Sequence, residues 1–307
     1  MFRKINQKTI LILFVVLLAL VVGVNFIDRQ KNERTFKDDL VEVNADDITQ
    51  ILLYPRSMKG EEIKFEKENG SWMVFKAEKK YPADNNMVSS IIGELNRIKP
   101  ESVASTSKQR WSQYEVTDSL GTKVVLKNKG RKVAEVVIGK MSFSQPQKAT
   151  SYVRLEGDEV VYGVDGYLPM TFNRDLSSFR DKTVTGIKKD DLTRLTLTNP
   201  NDGTFVLEKG DKSWMIGSAP ADSASVAGFL SGLQNLKHSV FTDDAPVGEA
   251  LYKLKIEGNN IAEAVELAGY AALNDKLTVT SSQNKGSYFD GENLKEKIFP
   301  PKSNFLK

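Results

Sequence analysis

The sequence predicts an α+β protein: two tandem repeats of antiparallel strands plus one amphipathic helix each, preceded by a single transmembrane helix. Three observations predict it. Motifs recur in the same order: Asp46-Asp47-Ile48-Thr49 returns as Asp190-Asp191-Leu192-Thr193, Ser71-Trp72-Met73-Val74 as Ser213-Trp214-Met215-Ile216, and Pro82-Ala83-Asp84 as Pro220-Ala221-Asp222. After each Pro-Ala-Asp, Val88, Ile91, Ile92, Leu95 and Ile98 are matched at one constant offset by Val226, Phe229, Leu230, Leu233 and Leu236. Ahead of both repeats, Ile10 to Ile27 reads ILILFVVLLALVVGVNFI without a charge.

Taken in chain order, residues 1–27 form the expected signal anchor. At 1.5 Å per residue the uncharged run spans about 27 Å as a helix, close to the hydrocarbon thickness of a bilayer. A cleaved signal peptide is the alternative, but its apolar core is usually shorter and Val21-Val22-Gly23 is a poor cleavage site. Arg3, Lys4 and Lys8 precede the run, while Arg29, Lys31, Arg34 and Lys37 follow it diluted by Asp28, Glu33, Asp38 and Asp39. With the terminal amine, this places the N-terminus in the cytoplasm. The expected location is a single pass of the cytoplasmic (inner) membrane, with the bulk of the chain extracytoplasmic or periplasmic. Residues 28–45 form a charged linker, read as a tether with a continued helix as the alternative.

The first repeat covers residues 46–189. Ile48 to Tyr54 reads as a strand ending at Pro55, and Ile63-Lys64-Phe65 alternates as a half-buried strand should. Asn69-Gly70 is a hairpin signal, because a type I′ turn needs positive φ at both central residues. Trp72 to Phe75 is the return strand. Asp84 is the expected N-cap of a helix whose apolar residues fall on one face, with Ser89, Glu94, Asn96 and Arg97 opposite. Further strands are expected at Lys123–Leu126, Val133–Ile138, Tyr152–Leu155 and Val160–Tyr162. The second repeat, shorter, covers residues 190–307. It repeats the hairpin at Phe205–Leu207 and Trp214–Ile216 and caps its helix with Asp222. It closes with strands at Leu251–Ile256, Ala262–Leu267, Leu277–Thr280 and Tyr288-Phe289.

Composition narrows the function classes. Cysteine is absent, which removes disulfides, thiolate metal sites and cysteine nucleophiles together. A single histidine, His238, excludes a multi-histidine metal site. The net charge of +3 comes from 43 basic and 40 acidic side chains without a basic stripe, so no nucleic-acid partner is expected.

Phosphate-binding and hydrolase signatures are missing. Ser105-Thr106-Ser107-Lys108 and Ser282-Gln283-Asn284-Lys285 match S-x-x-K, but each lies in polar loop-like sequence without its usual companion motifs. Trp72 and Trp214 read as core residues, with a stacking platform for a glycan as the alternative. Asp84 and Asp222 read as caps rather than an acid pair. Asn199-Pro200-Asn201-Asp202-Gly203 has the residue types of a calcium loop but lacks the bidentate glutamate, and reads as a turn. His238 reads as a solvated residue just past a helix. No catalytic, cofactor-binding or metal-ligating residue is assigned, no cofactor is expected, and no small-molecule substrate is identified. The reading is of a protein that is not an enzyme.

Gly70-Ser71-Trp72, Pro82-Ala83-Asp84 with its helix, Val137-Ile138-Gly139, Ser151-Tyr152-Val153-Arg154, Val161-Tyr162 and Phe179-Arg180-Asp181 together resemble a bacterial family, domain of unknown function 4340. Its members are associated with gliding-motility-type ABC transporter auxiliary components. Members often carry Tyr-Gly-Leu where this chain has Tyr114-Glu115-Val116. The resemblance implies a membrane-anchored, extracytoplasmic, non-enzymatic accessory protein. It would be an auxiliary component of an ABC-type transport or gliding-motility-like envelope complex. The implied partners are the membrane and the ABC permease and ATPase subunits. The alternative is a binding module for an envelope polymer such as a glycan.

Overall fold

Residues 39–144, 148–272 and 276–306 are described by a computed structural model. Strand β1 (Gln50–Tyr54) pairs with β2 (Ile63–Glu68), which turns through Asn69 (φ 48°) and Gly70 (φ 87°) into β3 (Ser71–Lys76). Both turn residues take positive φ, as a two-residue hairpin that follows the natural strand twist requires. Strand β4 (Lys79–Pro82) returns along β3, and the chain leaves the sheet at Ala83. The Asp84 carboxylate then accepts from the N–H groups of Asn86 and Met87, starting helix α1 (Asn85–Asn96). Its apolar face buries Val88, Ile91, Ile92 and Leu95 under the sheet.

The rest of the first unit is β5 (Pro100–Ser105), β6 (Thr122–Asn128), β7 (Arg131–Ser144), β8 (Lys148–Leu155) and β9 (Val161–Asp165). Two short helices follow, α2 (Leu168–Phe172) and α3 (Leu176–Phe179). The nine strands make one antiparallel sheet in the order β4-β3-β2-β1-β6-β7-β8-β9-β5.

The second unit contains β10 (Leu192–Asn199), β11 (Gly203–Lys209), β12 (Trp214–Ile216), β13 (Ala219–Pro220), helix α4 (Ser223–Leu233) and β14 (Phe241–Thr242). It continues with β15 (Tyr252–Gly258), β16 (Val265–Ala271), β17 (Leu277–Ser281), β18 (Tyr288–Asp290) and a short helix α5 (Lys295–Ile298). Its order, β13-β12-β11-β10-β15-β16-β17-β18-β14, reproduces the first sheet position for position. Asp222 accepts from Ser225 N–H at the start of α4. Each sheet has its own apolar core.

The expected fold class needs correcting. Two nine-stranded antiparallel sheets dominate the described residues, and the helices serve as short covers. The sequence reading undercounts strand because the edges carry no alternation. Lys79-Lys80-Tyr81-Pro82 and Pro100-Glu101-Ser102-Val103-Ala104-Ser105 are edge strands, where one side makes no ladder and burial imposes no period. The membrane expectations are corrected too. No helix among the described residues is long and apolar enough to cross a membrane, so single-pass inner-membrane placement is withdrawn. The anchor at Ile10–Ile27 and most of the linker lie outside the described residues.

The segment joining the two units belongs to both. Asp84 N–H donates to Phe179 O and Asp181 N–H to Pro82 O, each at 2.9 Å, tying its start to the first unit. Val184 and Thr185 donate to Leu236 O at 2.8 and 3.1 Å, and His238 N–H donates to Lys182 O at 2.8 Å. Val184 and Ile187 are buried in the second core. The same arrangement opens the first unit, where Leu40 N–H donates to Ile98 O at 3.0 Å.

Candidate functional site

A buried polar cluster lies where the units meet. Arg180 follows directly on Phe179, which is locked into the first core by an edge-to-face contact with Phe65 at 5.3 Å. That lock drives the Arg180 side chain into the joint, where only 2% of the residue is exposed. Its guanidinium lies 3.7 Å from the ring centre of Tyr81 in β4 and 3.8 Å from that of Phe241 in β14. One ring therefore comes from each unit. A desolvated cation–π contact is worth about 2 kcal/mol.

The counter-charge is weakly placed. Asp243 stands 3.5 Å from Arg180 Nη1, with its side chain 63% exposed. The same carboxylate accepts from the Tyr81 hydroxyl at 3.1 Å, and Lys79 Nζ donates to the Asp243 backbone oxygen at 3.3 Å. Burial, and then the Asp243 charge, push the Tyr81 phenol above its ordinary pKa. Burial draws the Arg180 guanidinium down from its usual value.

Arg180 Nε and Nη2 are buried without a hydrogen-bond partner among the described residues, as are Thr242 Oγ1, Ser287 Oγ, Asn284 Oδ1 and His238 Nε2. Each such group costs about 1–3 kcal/mol. The ring sandwich, rather than hydrogen bonding, holds the cation. His238 is half-buried rather than fully solvated: its ring lies 6.3 Å from Phe289, and burial lowers its pKa below the ordinary imidazole value.

The residues weighed from the sequence fall in separate places. Ser105 Oγ is occupied in a turn with Ser107, and Ser282 Oγ accepts from Glu266 N–H. The neighbours of Ser282 have a different task. Ser281 Oγ donates to Val184 O, Asn284 Nδ2 to Asp181 O and Thr183 O, and Gln283 Oε1 accepts from Gly186 N–H. That stretch fastens the joining segment. Asn199 accepts from Asn201 and Asp202 N–H, and Asp202 accepts from Lys302 N–H, so the Asn199–Gly203 segment is a side-chain-tied turn. Among the described residues no group of three or more His, Asp or Glu could hold a metal ion. Trp72 is buried at 7% exposure in the first core, and Trp214 is half-buried against the second.

A second construction caps the outer face of the first sheet. Residues 106–121 fold over it, packing Trp111, Tyr114 and Val116 on Val137, Tyr152 and Val161. Arg154 reaches up from β8, stacks 4.0 Å from the Trp111 ring centre, and donates through Nε to Val116 O at 3.0 Å and through Nη2 to Asp118 at 3.0 Å. A Cβ at Gly139 would sit 2.1 Å from Tyr114 O, so only glycine lets the segment close. Glu115 holds a left-handed φ of 57° and forms an ion pair with Arg56. This is the position where the resembling family often has glycine, the residue that adopts such a φ without strain.

The sequence reading missed Tyr81, Phe241 and Asp243, and gave Arg180 no role. One signal could have found them. Aligned by the repeat, Arg180, Tyr81, Phe241 and Asp243 stand opposite Leu306, Ala219, Val103 and Ser105. The duplication is broken chemically at the residues that join its halves.

Fold and site together define a duplicated antiparallel β protein whose units share one joining segment, pinned by a buried arginine. The match of residues 72–250 to the family model described as domain of unknown function (DUF4340) covers more than half of the chain, and the protein belongs to that family. No curated protein and no solved structure matches it.

Proposed function

We propose that this protein is a non-catalytic accessory component of an ABC-type transport or gliding-motility-like assembly, acting as a spacer that holds two binding surfaces in fixed relation. The observation that carries this reading is the joint. Its buried arginine, aromatic pair and shared segment are spent on fixing one sheet against the other. A scaffold needs that rigidity, whereas a reacting group needs access to substrate. Energy coupling would come from a separate ATPase, and the permease and ATPase are the proposed partners. The glycan-binding alternative called for an exposed tryptophan pair, and Trp72 is buried.

Affinity purification of the tagged full chain in mild detergent tests the proposal. Recovery of a permease and its ATPase, identified by mass spectrometry, is the expected outcome, with no nucleotide hydrolysis by the protein alone. Retention on peptidoglycan with neither subunit recovered would replace this reading with the glycan one.

A further inference from the structure

The chain between β14 and β15 differs from everything around it. Val247 is 88% exposed, Leu251 45%, and Val240, just ahead of β14, 53%. Asp243, Asp244 and Glu249 fall in the same stretch, and no lysine or arginine lies between Phe241 and Leu251. Asp244 and Glu249 make no ion pair with a described residue. Isolated exposed apolar side chains are ordinary, but Val247 and Leu251 share one short acidic segment, an apolar tip with polar surroundings.

The segment is also held ready. Asp243 is pinned at one end by Tyr81, Arg180 and Lys79. At the other end Leu251 N–H donates to Gly269 O at 2.9 Å. Between these anchors Pro246 restricts the backbone, and Gly248 turns it at φ 89°, leaving Val247 at the tip. A loop fixed at both ends has less conformational freedom to lose on binding. The corresponding stretch of the first unit, residues 106–121, buries its apolar side chains on its own sheet. In the second unit the positions matching Val137, Tyr152 and Val161 carry Ala268, Thr278 and Tyr288, and Val247 stays exposed instead of covering them.

We propose that the Asp243–Leu251 segment is the docking element of this protein, inserting Val247 into an apolar socket rimmed by lysine or arginine on a subunit of the transport assembly. The occupant follows from charge complementarity: the carboxylates of Asp244 and Glu249, unpaired by any described cation, flank Val247 in sequence and select a basic rim. This inference rests on the accessory-component reading for the identity of the partner. Because Asp243 also contacts Arg180, docking would bear on the joint directly.

The test compares wild type, Val247→Asp, the pair Asp244→Lys/Glu249→Lys, and the control Val103→Asp at the matched edge of the first unit. Each full-length chain is purified in mild detergent, and a photo-crosslinking residue is placed at position 247 in a parallel sample. The expected result is crosslinking of position 247 to the permease or ATPase, with recovery of that subunit lowered about tenfold or more by Val247→Asp and by the charge reversal. Val103→Asp should recover the subunits as wild type does. Unchanged recovery with both loop variants, while wild type brings the subunits down, overturns the docking inference and leaves the accessory reading standing. If wild type recovers neither subunit, the accessory reading fails and the inference with it. Thermal unfolding of each variant separates lost docking from lost folding; Val247→Ser serves in place of Val247→Asp, and Asp244→Asn/Glu249→Gln in place of the charge reversal, if either melts early.

Discussion

Residues 106–121 and 243–251 occupy the same place in the strand order, each joining an outer edge strand to the central strand of its sheet. Their fates differ. The first folds back as a cap, held by Trp111, Tyr114, Arg154 and the space left at Gly139. The second is shorter, stands clear of its sheet and meets the other unit at Asp243. A duplicated topology thus supports one closed surface and one open one. The difference lies in the side chains on the outer face: Val137, Tyr152 and Val161 invite a cap, whereas the matched positions carry the smaller or more polar Ala268, Thr278 and Tyr288.

The sharpest way to break the comparison lies in the two cores. Trp72→Ala should lower unfolding free energy by about 3–5 kcal/mol, the range for a buried aromatic. Trp214→Ala should cost clearly less, because that indole is only half-buried. Denaturant titration of both variants checks this, and equal losses would mean the units pack alike. Next in size is Gly139→Ala, which forces a methyl onto Tyr114 O and should destabilise by about 1–3 kcal/mol. Near-ultraviolet circular dichroism should register the disturbed Trp111, and an unchanged spectrum with unchanged melting would contradict the tight closure.

Glu115→Gly runs the other way. It relieves a left-handed φ and should stabilise by up to about 1 kcal/mol, less whatever the exposed Arg56 pair contributes. A lower melting temperature would show that the ion pair outweighs the backbone. The smallest effect belongs to the second unit alone. The folded-state pKa of His238 is lowered, so the unfolded chain binds the proton more readily. Its contribution is full above about pH 6.5. It declines as pH falls toward the folded value, with Asp290 opposing and Lys297 reinforcing the shift. Since His238 is the sole histidine, its imidazole resonance can be followed directly, and His238→Gln should flatten the stability profile there.

Much of the repeated frame was legible because local rules produced it. Asn69-Gly70 can turn at positive φ, Asp84 and Asp222 can accept backbone N–H groups, and Val88 to Leu95 keep a helical period. The edge strands escaped notice because nothing about Lys79–Pro82 or Phe241–Thr242 alternates. The joint escaped for another reason. Tyr81, Arg180 and Phe241 are far apart in the chain, and a stacked guanidinium leaves no periodic trace in sequence. The apolar run at Ile10–Ile27 suggested an anchor and a location that the described residues do not support.

The joining segment has a consequence for how the molecule comes apart. Phe179 completes the first core, while Val184 and Ile187, a few residues later, complete the second. Stripping those residues from one unit therefore pulls on the pairing that closes the other. Heating should meet a single cooperative transition rather than two successive ones. A protease cut at Asp190 would leave the second half without two of its own core side chains, so the halves are separable on paper sooner than in a test tube.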